Sequence, residues 1–274
     1  MERIINTVIQ AGLEKPVKIL HITDTHITES DENDDKRMKD LIEMRRDTFY
    51  KEGGKKSKAP QQYLEEAFEI AKSENALPVL TGDIMDLNSS GCRKQLHLSC
   101  DGHDFLFTTG THEYQRSSCT PKCCPLEEPI GYYEETRNAL ISEFGYGDWN
   151  VDSRTVNGLN IIIVDNSQSY FPREVLPALK KVLENGLPSI LFMHVPLEWL
   201  EIIRTNPRNP DSHLTEEDYL LSYETVDFII DNPQIIATFA GHRHREYECT
   251  LRSGQKMYET PGTFSGACRL IEIR

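Results

Sequence analysis

Apolar and polar positions alternate along this chain in short blocks, and several blocks stop at the same kinds of residue. Thr7-Val8-Ile9 and Val17 to Ile22 are β-branched runs separated by Gly12 and Pro16, which predicts two strands joined as a hairpin. Residues 30 to 50 are heavily charged, acids first and Lys36, Arg37, Lys39, Arg45 and Arg46 later. That polarity complements a helix dipole and predicts a solvated helix. Within it, Asp31 to Asp35 superficially resembles a calcium loop, but Lys36 stands where the turn needs glycine and Ile42 where it needs glutamate. Gly53 to Lys58 is a flexible basic connector, and a helix is expected over roughly residues 60 to 74.

The apolar runs then shorten. Leu77 to Thr81 predicts a strand ending at Gly82-Asp83, and Asp104 to Thr109 one ending at Gly110-Thr111-His112. Residues 117 to 129, rich in Cys and Pro, read as an ordered surface loop, and Glu134 to Phe144 as a helix. Val156 to Val164, turning at Asn157-Gly158, predicts a hairpin. Pro172 to Glu184 reads as a helix, and Pro188 to Phe192 as a buried strand running into His194. A Thr-x-x-Asp cap opens a helix over Thr215 to Ile230. Strands follow at Ile235 to Ala240, Tyr247 to Leu251, Gln255 to Thr260 and Arg269 to Ile273. Helices alternate with strands early and hairpins dominate late, a pattern that favours an α/β (mixed α+β) fold of two packed mixed sheets with helices outside. No internal repeat or strong linker divides the chain. One domain over residues 1–274 is expected, with residues 29–60 as a lid or insertion.

Composition narrows the function classes. With 274 residues, 38% hydrophobic and 27% charged, the chain can bury a full core. No stretch approaches the roughly 20 apolar residues that span a bilayer, so no membrane partner is expected. Met1 to Asn6 lacks the apolar run of a secretory signal, making a cytoplasmic location the expectation. A net charge of −14 disfavours nucleic acid, which normally meets a basic face. Bound cations could reverse the sign locally, so a small phosphorylated substrate is still compatible. Seven cysteines, an odd number without an export signal, read as thiols. Cys119, Cys123, Cys124 and Cys100 lack the paired spacing of a zinc site.

The strand-end blocks carry the chemistry. They are Asp24-Thr25-His26, Gly82-Asp83, Gly110-Thr111-His112-Glu113, His194 and Gly241-His242-Arg243-His244. Carboxylate oxygens and imidazole nitrogens suit divalent transition metals, and the glycines permit close backbone approach. Together the blocks read as a two-metal hydrolytic site suited to in-line displacement at phosphorus. Outside them, His21, His97, His103 and His213 read as ordinary histidines satisfied by hydrogen bonds or solvent. Asp86 and Asn88 read as caps or turn residues, and Arg243 as a surface residue.

In order and content the five blocks resemble those of calcineurin-like metallophosphoesterases: D-x-H, G-D, G-N-H-[DE], a lone H, and G-H-x-H. The resemblance spans residues 24 to 244 and implies a four-layer αββα sandwich of two mixed sheets flanked by helices. It implies two divalent ions drawn from Mn, Fe or Zn. Asp24, His26 and His244 would hold the first, His194 and His242 the second, and Asp83 would bridge them. Thr111 completes the implied metal ligands where the family carries asparagine, a better neutral donor; its hydroxyl would ligate weakly or through a water, so the second metal is expected to bind less tightly. By the same resemblance His112 is the catalytic residue, facing the phosphate and protonating the leaving oxygen, with Glu113 orienting its ring. The implied activity is hydrolysis of a small phosphomonoester or phosphodiester by a metal-bridging hydroxide. The alternative is a catalytically weakened scaffold acting mainly as a binding module, and Thr111 is the feature that supports it. Purple acid phosphatases resemble G-D-x-x-Y, whereas Asp86 occupies the tyrosine position here, so a tyrosinate iron site is not supported.

Overall fold

Apolar side chains on both faces of the central strands dictate layers above and below them. In the computed structural model, which describes residues 1–52, 58–114, 137–143, 150–205 and 215–274, those layers form two packed mixed sheets. The first has the order β1 (Arg3–Ile9), β11 (Ala267–Ile273), β2 (Val17–Ile22), β3 (Leu77–Thr81), β4 (Leu106–Thr108). The second runs β5 (Val151–Val156), β6 (Leu159–Val164), β7 (Ser189–Phe192), β8 (Ile235–Ala240), β10 (Lys256–Glu259), β9 (Tyr247–Thr250). In β2, Val17 and Ile19 face the second sheet while Leu20 and Ile22 face helices. In β6, Ile161 and Ile163 meet the first sheet while Ile162 and Val164 turn the other way. Each fully buried Ile or Leu of this kind contributes on the order of 2 kcal/mol.

Helices cover the outer faces. α2 (Pro60–Glu74) and α3 (Ser90–Cys100) pack Leu64, Phe68, Ala71, Cys92 and Leu96 under the first sheet. α5 (Val175–Leu183), α6 (Leu197–Thr205) and α7 (Glu216–Asp231) cover the second. α1 (Lys36–Glu52) lies in the charged segment, and residues 137–143 form helix α4. The four-layer expectation is met. The Asn157-Gly158 hairpin and the Thr215/Asp218 capping box form as the residues require.

Two features differ from the sequence reading. β1 and β2 are not a hairpin: β11 runs between them, parallel to β1 and antiparallel to β2. β11 carries apolar residues on both faces, Cys268 and Leu270 toward the helices and Ile271 and Ile273 toward the second sheet, which suits a strand inside the sheet better than one at its edge. α3 and α6 are additional helices, short and weakly patterned, and they owe their existence to packing on the sheets. The expected loop at 117–129, with Cys119, Cys123 and Cys124, lies outside the described residues, as do His213 and most of the 53–58 connector. Cys92, Cys100, Cys249 and Cys268 are free thiols. Among the described residues no helix is long and apolar enough to cross a membrane.

Candidate metal centre

The parallel strands β2 and β3 of one sheet and β7 and β8 of the other end at a common edge. Their terminal residues turn sharply. Asp24, His26, Asp83, His242 and His244 all adopt left-handed backbone conformations, with φ between 49° and 69°, a region costly for non-glycine residues. The turns are tied across strands: Asp24 N–H donates to Gly82 O (3.0 Å) and His26 N–H to Asp83 O (2.9 Å). On the other sheet Gly241 N–H donates to His194 O (3.0 Å). The two sheets meet where His242 N–H donates to the Asp24 carboxylate (3.0 Å to Oδ2). A β-carbon on Gly241 would overlap Thr23 Oγ1 and Asp24 Oδ2, so that approach requires glycine.

Two groups of donors are made of predicted ligands alone, Asp24, His26 and His244, and Asp83, His194 and His242, while a third, His26, Asp86 and His112, shares His26 with the first. In the first, His244 Nε2 lies 3.3 Å from Asp24 Oδ1 and 3.1 Å from His26 Nε2. In the second, His194 Nε2 lies 3.2 Å from Asp83 Oδ2 and 3.3 Å from His242 Nδ1. His194 Nδ1 donates to Thr81 O (2.8 Å), which leaves Nε2 as the atom that faces the group. His26 Nδ1 likewise meets Asp86 Oδ1 (3.2 Å), freeing its Nε2. Lone pairs converging at such distances repel unless a proton or a cation sits among them. This donor chemistry fits a divalent metal in each group.

The electrostatics agree. Burial alone would disfavour the carboxylate of Asp24, yet the adjoining His244 and His194 hold it down at about 2. Asp83 is likewise held well below the usual range, against its burial, by His194 and His112. Burial opposes protonation of His194, but the Asp83 carboxylate outweighs it and raises the ring to about 10. His242 is lowered to about 4 by burial and the neighbouring His194. Asp83 belongs to the second group, and its charge also acts on His26 and His244 of the first.

His112 stands at the open side, its ring about one-fifth exposed, with Nε2 4.0 Å from Asp83 Oδ2. Its Nδ1 lies 2.9 Å from Asp86 O and 3.0 Å from Asp86 Oδ1. Burial would lower this ring; Asp83 and Asp86 together raise it to about 9. Thr111 Oγ1 donates to Ser167 O (2.9 Å), so its proton is committed to the β6 loop.

Several residues carry roles that the sequence reading did not assign. Asp86, expected to be a cap or turn residue, is fully buried and meets the rings of both His26 and His112. Glu113, expected to orient His112, accepts instead from four backbone N–H groups, those of Asp83, Ile84, Met85 and Gly110. Asn166 fixes the β7 end, its Oδ1 accepting from His194 N (3.1 Å) and Val195 N (2.9 Å). Arg243 is not a surface residue. It pairs with the buried Glu259 and with Glu198 (2.6 Å), against the rings of Trp199 and Tyr247. His21, by contrast, is satisfied by hydrogen bonds as expected, buried and bonded to Thr260 and Thr81 (2.8 Å each). Little of this carries a local sequence signal, since, apart from Gly110 for Glu113 and Tyr247 for Arg243, the partners lie from 16 to 239 positions away.

A family model described as calcineurin-like phosphoesterase matches residues 17–246. No curated protein sequence matches the chain. Among solved structures, it is similar to a dimetal phosphatase from Danio rerio at 12% identity and a TM-score of 0.50. That match covers 91% of this chain and 88% of the other, a likeness of fold. A putative 5'-nucleotidase from Staphylococcus aureus aligns at 11% identity and TM-score 0.47, covering 91% of this chain and 49% of its own. A 5'-nucleotidase from Candida albicans aligns at 13% and 0.46, covering 96% and 47%. The chain thus spans about half the length of those two nucleotidases.

Proposed function

The chain belongs to the calcineurin-like phosphoesterase family, and from that premise we propose that it is a dinuclear metal-dependent phosphoric ester hydrolase acting on a small phosphorylated substrate. The observation that carries this reading is the convergence of carboxylate and imidazole donors in two adjacent groups. Asp24, His26 and His244 would hold one cation, and Asp83, His194 and His242 the other, with Asp83 shared between them. Bound cations would supply positive charge to the phosphoryl oxygens and lower the pKa of a water nucleophile. Manganese, iron and zinc all suit the donors.

The remaining work falls to side chains of the chain itself. His112 presents Nε2 at the open side while Nδ1 is anchored on Asp86. Its contact with the Asp86 carboxylate favours the protonated ring, which would give a proton to the departing oxygen. His242 N–H and Thr23 Oγ1 donate to Asp24, holding its carboxylate in one orientation. The net charge of −14 supports a small substrate neutralised by the cations over a nucleic acid.

The test is hydrolysis of an aryl phosphate and a bis-aryl phosphate with added Mn²⁺, Fe²⁺ or Zn²⁺. Turnover that rises with metal and falls about 10²- to 10⁴-fold in His112→Asn supports the reading. Protein that binds metal yet turns over neither ester supports the binding-module reading instead.

A further inference from the structure

Helix α1 delivers two side chains, one turn apart, onto Asp86 and His26. Arg45 forms a two-pronged contact with Asp86, Nε to Oδ2 at 2.7 Å and Nη2 to Oδ1 at 2.6 Å. Phe49 stacks on His26 with ring centroids 4.2 Å apart and planes 13° from parallel. The Arg45 guanidinium in turn lies 5.0 Å from the centre of the Phe49 ring. Residues four apart share a helix face, so both contacts come from one stripe of α1.

Asp86 Oδ1 is the atom on which the site turns. It meets His26 Nδ1 at 3.2 Å and His112 Nδ1 at 3.0 Å, and those two rings stand edge to face, 88° apart. The orientation of a metal-holding imidazole and that of the proton-donating imidazole therefore depend on the plane of one buried carboxylate. A carboxylate held by two imidazoles only at Oδ1 has its second oxygen unfastened, so its plane is set loosely. A guanidinium gripping both oxygens removes that looseness, because two parallel N–H bonds define a plane.

We propose that Arg45 is a positioning residue: through Asp86 it sets the rings of His26 and His112 together, so that α1 couples metal affinity to the proton-transfer step. This rests on the metal-dependent reading above. Arg45 is thus turned inward to the protein, whereas a cationic lid would turn it outward to substrate. The helix is a strut for the site.

The test compares the unmodified protein with Arg45→Lys, which keeps the charge but not the fork, and Arg45→Met, which keeps neither. Mn²⁺ binding is measured by calorimetry without substrate, kcat and KM with a bis-aryl phosphate at saturating Mn²⁺, and folding by thermal unfolding. In Arg45→Lys, Mn²⁺ affinity is expected to fall about tenfold and kcat by a similar factor with KM within about twofold. Arg45→Met should lose more of both. Unchanged Mn²⁺ affinity with a raised KM would identify Arg45 as a substrate contact and overturn the inference. So would a Lys variant equal to the unmodified protein in all three measurements. If the unmodified protein takes up no Mn²⁺, the functional reading itself fails, and this inference falls with it. If it binds Mn²⁺ and turns over while the variants match it, only the inference fails.

Discussion

Replacing Glu113 with glutamine changes one atom and tests how the Asp83 turn is held. The carboxylate is fully buried and each oxygen accepts twice. Oε1 takes Ile84 N–H (2.7 Å) and Met85 N–H (3.0 Å), and Oε2 takes Asp83 N–H (2.8 Å) and Gly110 N–H (2.6 Å). An amide offers one acceptor oxygen. Whichever way it is flipped, an NH₂ faces two backbone donors, and at this depth they find no water. Burial and the nearby Asp83 charge push the Glu113 carboxyl up to about 7, so removing the charge returns some of that cost. The donor geometry outweighs it. Two charge-assisted bonds contribute about 1.5 to 3 kcal/mol each, and the stranded N–H groups add their own desolvation. A net loss of about 2 to 4 kcal/mol is expected in Glu113→Gln, or roughly 5 to 10 °C in Tm. The measurement is urea and thermal unfolding in chelator, so that metal binding does not enter. A glutamine variant as stable as the unmodified protein, or more so, would show that the charge penalty dominates and that the four donors are not what fixes this turn.

Three further outcomes follow from the site. In Gly241→Ala the new β-carbon overlaps Thr23 Oγ1 and the Asp24 carboxylate. Displacing a ligand should weaken Mn²⁺ binding by about tenfold or more, and calorimetry giving unmodified affinity would refute the packing argument. Thr111→Asn should tighten the weaker of two metal-binding steps, because an amide oxygen can ligate where the threonine hydroxyl is engaged with Ser167 O. Two equally tight steps in the unmodified protein would remove the basis for this. His194 is raised to about 10 by Asp83 against its burial, so at pH 7 it carries a proton that a metal must displace. Binding should therefore release a proton and strengthen from pH 6 to pH 8. Calorimetry in buffers of different ionisation enthalpy reads the release directly, and pH-independent affinity would contradict it.

The donors themselves were legible in the sequence because each sits where an apolar run stops. A β-branched run that ends in Asp or His sets an ionisable group at the tip of a buried strand, a placement that needs a polar partner or a metal to hold it. The positions of β3, β6, β7 and β8 followed from the same signal. What the pattern does not encode is adjacency. β11 lies between β1 and β2 with apolar residues on both faces, Cys268 and Leu270 on one and Ile271 and Ile273 on the other, a placement visible only once both neighbours are known. Asp86 has the local appearance of a turn residue, and its function depends on Arg45 at 41 positions' remove and His26 at 60. Glu113 is adjacent to His112 in sequence, which suggested a shared task. The short helix at His112–Tyr114 instead turns the carboxylate back onto the backbone of the Asp83 turn.

The backbone strain accounts for the convergence of these residues. Among the described residues, eight that are not glycine take positive φ, and five of them are candidate ligands, while Asn75 and Asn157 close a helix and a hairpin as asparagine commonly does. Holding Asp or His in that region costs on the order of 1 kcal/mol each, and a strand end left to relax would extend instead. The cost is sustained because each turn is fastened elsewhere: Asp24 and His26 to the β3 turn, Asp83 to Glu113, and His242 to the Asp24 carboxylate. The donors in these fastenings are main-chain N–H groups, and apart from the Asp24 carboxylate, which accepts from His242, the candidate ligand side chains are left to face one another. The strain and the donor geometry are therefore one feature. A substitution that lets any single turn relax should act on metal affinity before it acts on the packing between the sheets, because that packing, built on residues such as Ile19, Ile161, Phe192 and Phe239, contains none of the turn residues.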